Sequence, residues 1–130
     1  MTYSEKILER FENPKHVGSM DKTDLNVGTG LAGSVSCGDI LKLQLKINPE
    51  TKIIENAVWK TFGCASAMAS SEYVCEIIKN MHIKDAENIQ NKQIVDELFL
   101  PPVKVHCSVL AEDAIKAALK DWKNKQNVSQ

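Results

Sequence analysis

The sequence predicts an α+β domain in which a small antiparallel three-stranded sheet carries helices packed on one face. Three observations predict it. Leu41, Leu43, Leu45 and Ile47 alternate with Lys42, Gln44 and Lys46, the period of a half-buried strand. All six glycines (Gly18, Gly28, Gly30, Gly33, Gly38, Gly63) lie in the first half of the 130 residues. The second half holds the only Pro-Pro pair, Pro101-Pro102, and otherwise reads as helix.

The elements follow in order. Thr2-Tyr3-Ser4-Glu5 is a capping box, Tyr3, Ile7, Leu8 and Phe11 recur at helical spacing, and Asn13-Pro14 stops the first helix. Residues 15–36 carry four of the glycines with little periodicity and predict an irregular segment or a short edge strand. A strand from Asp39, a turn at Asn48-Pro49-Glu50-Thr51 and a second strand over 53–62 make a hairpin. Residues 65–81 read as a helix with Met68, Cys75 and Ile78 near one face, followed by short helical pieces at 85–90 and 91–98. The Leu100-Pro101-Pro102-Val103-Lys104 run is extended, because a proline pushes its predecessor out of helical geometry. The last helix is expected to start near Ser108 as N-cap, with Glu112 and Asp113 in its first turns. Residues 1–130 thus form one domain, with a flexible N-terminal end and a C-terminal tail after about residue 124.

Composition narrows the function classes. The chain is 43% hydrophobic and 25% charged, so it is no low-complexity polymer. Sixteen Lys and Arg against 17 Asp and Glu leave a net charge of −1, with no basic surplus for a phosphate backbone. No apolar run approaches the ~20 residues that span a bilayer, and residues 1–5 resemble neither a signal peptide nor a transit segment. A soluble intracellular domain is expected.

Four cysteines then remain to be explained: Cys37, Cys64, Cys75 and Cys107. In a reducing compartment each is a buried thiol, a metal ligand or a nucleophile. Cys75 sits on the apolar stripe of a helix and reads as a small buried hydrophobe. Cys37 precedes a strand, Cys64 separates a strand from a helix, and Cys107 precedes a helix, so all three stand at element ends. Near helix N-termini, Cys64 and Cys107 are favoured as thiolates, the form that binds metal. Asp39, two residues after Cys37, and His106, beside Cys107, add a carboxylate and an imidazole. These five donors suit zinc or a [2Fe–2S] cluster, and a site short of one thiolate should release a cluster readily. Asp39 is also readable as a turn residue. His16 and His82, without clustered partners, read as surface residues.

Asn26-Val27-Gly28-Thr29-Gly30-Leu31, Ser36-Cys37-Gly38-Asp39, Lys60-Thr61-Phe62-Gly63-Cys64 and the long run from Leu100-Pro101-Pro102-Val103-Lys104-Val105-His106-Cys107 through Ala118 resemble the IscU-type iron–sulfur cluster assembly scaffold family, within the IscU/NifU N-terminal group. The resemblance covers Tyr3 to about Trp122. It implies the SufE/NifU-like fold and assembly ligands at Cys37, Cys64 and Cys107, with Asp39 and His106 as accessory ligands. The implied activity is de novo assembly of a transient [2Fe–2S] cluster from Fe2+ and persulfide sulfur, with Zn2+ able to replace iron. Leu100, Pro101, Pro102, Val103 and Lys104 match the segment recognised by an Hsp70-type chaperone and its J-protein co-chaperone. The other implied partners are a cysteine desulfurase, a frataxin-like protein, a ferredoxin and acceptor apoproteins.

The chain departs from the common pattern at Ser34-Val35-Ser36 before Cys37, at Ala65 after Cys64, and at His16, where Asn is common. The resemblance makes Cys107 the expected sulfur acceptor and the chain a scaffold rather than an enzyme, and the place of Cys107 before a helix gives a physical reason for thiolate character. Two other classes compete. One is a thiol-dependent sulfur-transfer enzyme with Cys107 as nucleophile and His106 as base; the other is a zinc-binding adaptor.

Overall fold

The computed structural model describes residues 5–34, 39–63, 65–98 and 105–128. Its elements run α1 (Glu5–Glu12), β1 (Val27–Ser34), β2 (Asp39–Ile47), β3 (Ile54–Phe62), α2 (Ala65–Ile78), α3 (Ile83–Glu87), α4 (Asn91–Leu98) and α5 (Val105–Val128). The sheet is antiparallel in the order β1-β2-β3, as expected from the sequence. Leu41, Leu43, Leu45 and Ile47 of β2 and Ala57 and Trp59 of β3 face a single core that also takes Val74, Cys75 and Ile78 of α2 and Ala111, Ala114, Ile115 and Ala118 of α5. Burial of these apolar side chains is the main stabilising term.

β1 is a full strand, where the sequence predicts at most a short edge strand. Its glycines explain both the weak signal and the strand. A Cβ on Gly28 would lie 2.2 Å from the Ala118 carbonyl oxygen, and one on Gly30 would lie 2.3 Å from that of Ala114. The missing side chains let α5 settle directly on the β1 backbone, and they also erase the alternation that marks a strand. The outer side of β2 is likewise less simple than its lysines imply. Gln44 is 1% exposed, and its amide bonds Met20 at both ends, donating to O at 2.8 Å and accepting from N at 2.7 Å. The 15–26 segment therefore crosses part of that face.

Other boundaries shift for local reasons. α2 ends at Ile78 rather than 81, because Asn80 turns left-handed (φ 71°) and its N–H bonds Ile54 O at 2.6 Å. α3 starts earlier than residue 85, with the ring of His82 accepting the Lys84 N–H at its N-cap. His82 is thus a capping residue rather than a free surface side chain. α5 opens at Val105, not after Ser108, and Ser108 is buried on its inward side. Only Pro101 and Pro102 restrict the chain there, and nothing after them opposes helical geometry. At its other end α5 continues to Val128, past the boundary read near residue 124. There Lys125 Nζ donates to the carbonyls of Lys22 (2.5 Å), Val27 (2.7 Å) and Asp24 (3.2 Å), and Gln126 Nε2 to that of Leu25 (2.6 Å).

Candidate functional site

The site is framed by where elements begin and end. Ser34 pairs with Asp39 across the β1–β2 ladder, and Ile40 pairs with Phe62 across β2–β3. The end of β1, the start of β2, the end of β3 and the start of α2 at Ala65 therefore share one end of the sheet. α5 brings its own N-terminus to the same end. Gly28 meets Ala118 and Trp122, and Gly30 meets Ala114, Ala117 and Ala118, so α5 runs antiparallel to β1. Two strand residues advance about 6.8 Å and four helix residues about 6 Å, so one further step of each kind pairs Ala32 with the turn near 110, and the next pairs Ser34 with the first turn of α5.

The five predicted donors stand as follows against this frame. Asp39 opens β2 and His106 belongs to the first turn of α5, but the side chains of both lie outside the described atoms. Cys37 and Cys64 lie outside the described residues, as does the 100–104 segment. Cys107 is described: it is outside any disulfide among the described residues, 1% exposed, and inside the first turn of α5 rather than ahead of it on an exposed rim. Among the described residues no three His, Cys, Asp or Glu side chains come together as a metal site. His106 and Cys107 are consecutive positions of α5, and consecutive helical positions lie about 100° apart around the axis, which is not the placement a nucleophile and its base require.

Cys75, read as a buried hydrophobe, is one: its thiol pKa is pushed well above the ordinary value, first by burial and then by Glu72 and Glu76. His16 is not a free surface residue. Its Nδ1 donates to Glu72 Oε2 at 2.5 Å, and Glu72 is buried against Trp59. Sequence reasoning passed over Glu72, although a carboxylate four residues after Met68 and three before Cys75 stands on an apolar helix face and so demands partners.

A second feature borders the site. Leu31, Ile40 and Phe62 on the outer sheet face join Val17 and, around the β3 edge, the core-side residues Trp59 and Met68 to line a half-open cavity of about 480 Å³. Leu31 is 66% exposed and Phe62 80% exposed, and such a contiguous apolar patch marks an interaction surface. Lys42 and Lys60 also line it, directly opposite each other across the β2–β3 ladder, and neither has a salt-bridge partner among the described residues. Like charges so placed repel.

The model for the NifU-like N terminal domain matches residues 2–129. The chain belongs to the NifU-like N-terminal domain family. Among curated relatives of this NifU-like domain, the iron–sulfur cluster assembly scaffold protein IscU of Buchnera aphidicola (subsp. Acyrthosiphon pisum) is 58% identical, over 97% of this chain and 98% of that one. The protein of the same name from Haemophilus influenzae is 56% identical over 97% and 99%, and the mitochondrial iron sulfur cluster assembly protein 2 of Saccharomyces cerevisiae is 54% identical over 98% and 81%. Among solved structures, a NifU-like N-terminal domain from Brucella abortus superposes with TM-score 0.70 at 16% identity over 94% of both chains. A protein described as a SUF-system cluster assembly scaffold from Fervidobacterium islandicum gives 0.68 at 22% identity, over 90% of this chain and 96% of that one. The NifU-like fold expected from the resemblance is thus the one found. No helix among the described residues is long and apolar enough to cross a membrane.

Proposed function

We propose that this NifU-like domain is a scaffold on which a transient [2Fe–2S] cluster is assembled from iron and desulfurase-derived sulfur and then passed to acceptor proteins. Near-full-length identity above one half to relatives named as such scaffolds is the observation that carries the reading. In this reading residues 1–130 work as one domain, in the bacterial cytoplasm or the mitochondrial matrix. Cys37, Asp39, Cys64, His106 and Cys107 hold iron and, in its place, zinc. The frame supports that set, since the chain enters or leaves β1, β2, β3, α2 and α5 beside each of these five positions at one end of the sheet.

Cys107 accepts the sulfur. Its thiolate attacks the outer sulfur of a desulfurase persulfide, the new S–S bond forms, and the desulfurase thiolate leaves. Two electrons per persulfide then release sulfide, a ferredoxin being the donor. With 1% exposure, Cys107 takes part only after a local opening of the α5 start, which partner binding is suited to provide. A cysteine nucleophile paired with His106 within this chain is disfavoured by their adjacency on the helix.

The cavity beside the site takes a protein segment with apolar side chains and a carboxylate, because such a segment supplies the counter-charge that Lys42 and Lys60 lack among the described residues. The co-chaperone, frataxin-like and ferredoxin partners implied by the resemblance compete for surfaces of this kind, and residues 100–104 serve the Hsp70-type chaperone.

Anaerobic incubation with ferrous iron, cysteine and a desulfurase is expected to generate the visible absorption of a [2Fe–2S] cluster, while a colourless product defeats the scaffold reading. Asp39→Ala, which removes the labile carboxylate, is expected to slow transfer to an apo-ferredoxin by about tenfold or more. Equal transfer rates for the two proteins would remove Asp39 from the ligand set.

A further inference from the structure

Glu72 is the most constrained charge among the described residues. It is 1% exposed on α2, and a carboxylate so buried costs several kcal/mol unless its lone pairs are occupied. Here they are. Oε1 accepts from the backbone N–H of His16 (2.8 Å), the backbone N–H of Lys15 (3.1 Å) and the Trp59 indole Nε1–H (3.1 Å). Oε2 accepts from the His16 ring at 2.5 Å. Three of the four donors belong to the strap between α1 and β1, and the fourth to β3.

The strap is then stitched to the β3 edge. Trp59 N–H donates to His16 O at 2.9 Å, and Gly18 N–H donates to Trp59 O at 3.1 Å. Between those bonds Val17 forms an isolated parallel bridge with Trp59 and stands in the wall of the cavity. Glu72 therefore governs two lining residues, Val17 through the strap and Trp59 through its indole. Met68, one turn earlier on α2, completes that wall. The other charges around the carboxylate are Glu9 and Arg10 from α1, Lys15 from the strap and Glu76 from α2, and Arg10 is held in a two-bond pair by Glu76. An apolar side chain would fill the same space without the desolvation cost. What an acceptor oxygen at this position supplies, and an apolar side chain cannot, is a fixed strap.

We propose that Glu72 is a positioning residue of the docking cavity, a buried clasp that holds Val17 and Trp59 in the wall against which a partner packs. The inference rests on the docking reading of that cavity, and its test separates the two. Amide hydrogen exchange at Gly18 reads the clasp directly. Binding of 8-anilinonaphthalene-1-sulfonate, an apolar anion matched to the cavity and its lysines, reads the cavity.

In Glu72→Ala the Gly18 amide is expected to exchange at least about tenfold faster, and the dye to bind at least about fivefold more weakly, as follows from losing about 1–2 kcal/mol of strap contacts. Glu72→Gln keeps an oxygen for the Lys15, His16 and Trp59 donors and is expected to stay within about twofold of the parent. His16→Ala removes only the ring bond and is expected to fall between them, and it carries the test if Glu72→Ala does not fold. Unchanged Gly18 exchange in both alanine variants overturns the clasp, as does a glutamine variant no better than alanine. Lys60→Ala and Phe62→Ala leave the clasp intact. A dye that binds the parent protein but ignores both overturns the docking reading, while Gly18 exchange still decides the clasp by itself.

Discussion

Two cysteines of this chain show how environment sets chemistry at the level of single residues. Cys75 and Cys107 are both buried and outside any disulfide among the described residues, yet they occupy different settings. Cys75 lies mid-helix, where burial and then the carboxylates of Glu72 and Glu76 push its pKa well up, so the thiolate is suppressed. Its native alkylation by iodoacetamide at pH 8.5 is expected to be undetectable on a timescale that labels the unfolded chain completely, as read by peptide mass spectrometry. The linkage has a definite sign. A raised folded-state pKa favours the fold below the ordinary thiol value of about 8.5, and that contribution is lost as pH rises past it. The stability difference between the parent and Cys75→Ala, measured by urea unfolding, is therefore expected to shrink from pH 7.5 to pH 10. Cys107, in the first turn of α5, lies instead at the positive end of the helix dipole.

At the level of elements, legibility in the sequence followed the strength of the periodic signal. β2 was readable because Leu41, Leu43 and Leu45 meet a core while Lys42 and Lys46 meet solvent, and the β2–β3 hairpin followed from its turn residues. β1 was only half readable, as an irregular segment or a short edge strand, since Gly28 and Gly30 carry no side chain with which to alternate. Their reason lies in α5, some 90 residues away in the chain, which no local pattern can reveal. The start of α5 was misplaced because Ser108 looks like a cap but is buried on the inward face. For the site, the described backbone puts Asp39 at the start of β2 and His106 and Cys107 in the first turn of α5, whereas the clasp of His16 by Glu72 needed the fold to bring α2 against the strap. The close approach of α5 to β1 makes its own prediction. Gly30→Ala forces a methyl against the Ala114 carbonyl, and backbone cannot yield as a flexible side chain does. A loss of about 2–3 kcal/mol is expected in chemical unfolding, with Gly33→Ala as a poor control because Gly33 adopts φ 92°.

Across the whole molecule, α5 connects the candidate site to the far end of the sheet. Its 24 residues span about 36 Å, from Cys107 in the first turn to Lys125 near the last. The helix lies on β1 through glycine contacts, Asp121 Oδ2 accepts the Thr29 N–H at 2.9 Å, and Lys125 fastens the far end to three carbonyls of the 22–27 loop. Lys125 Nζ also lies 3.6 Å from Asp121, so one ammonium group joins the helix to the loop. A rigid rod held at both ends opens at one end more easily when the other is released, provided it moves as a unit. Lys125→Met keeps the apolar stem and removes the charged bonds, at a cost of about 1–2 kcal/mol. If access to Cys107 requires α5 to lift as a unit, that loss raises the Cys107 alkylation rate about 5- to 30-fold in the native protein. Cys75 serves as the internal control, because it must stay unlabelled unless the whole fold has opened. A Cys107 rate that ignores Lys125→Met, with Cys75 still protected, would mean that sulfur reaches the site by fraying of the first helical turn alone, and that the far end of α5 has no part in it.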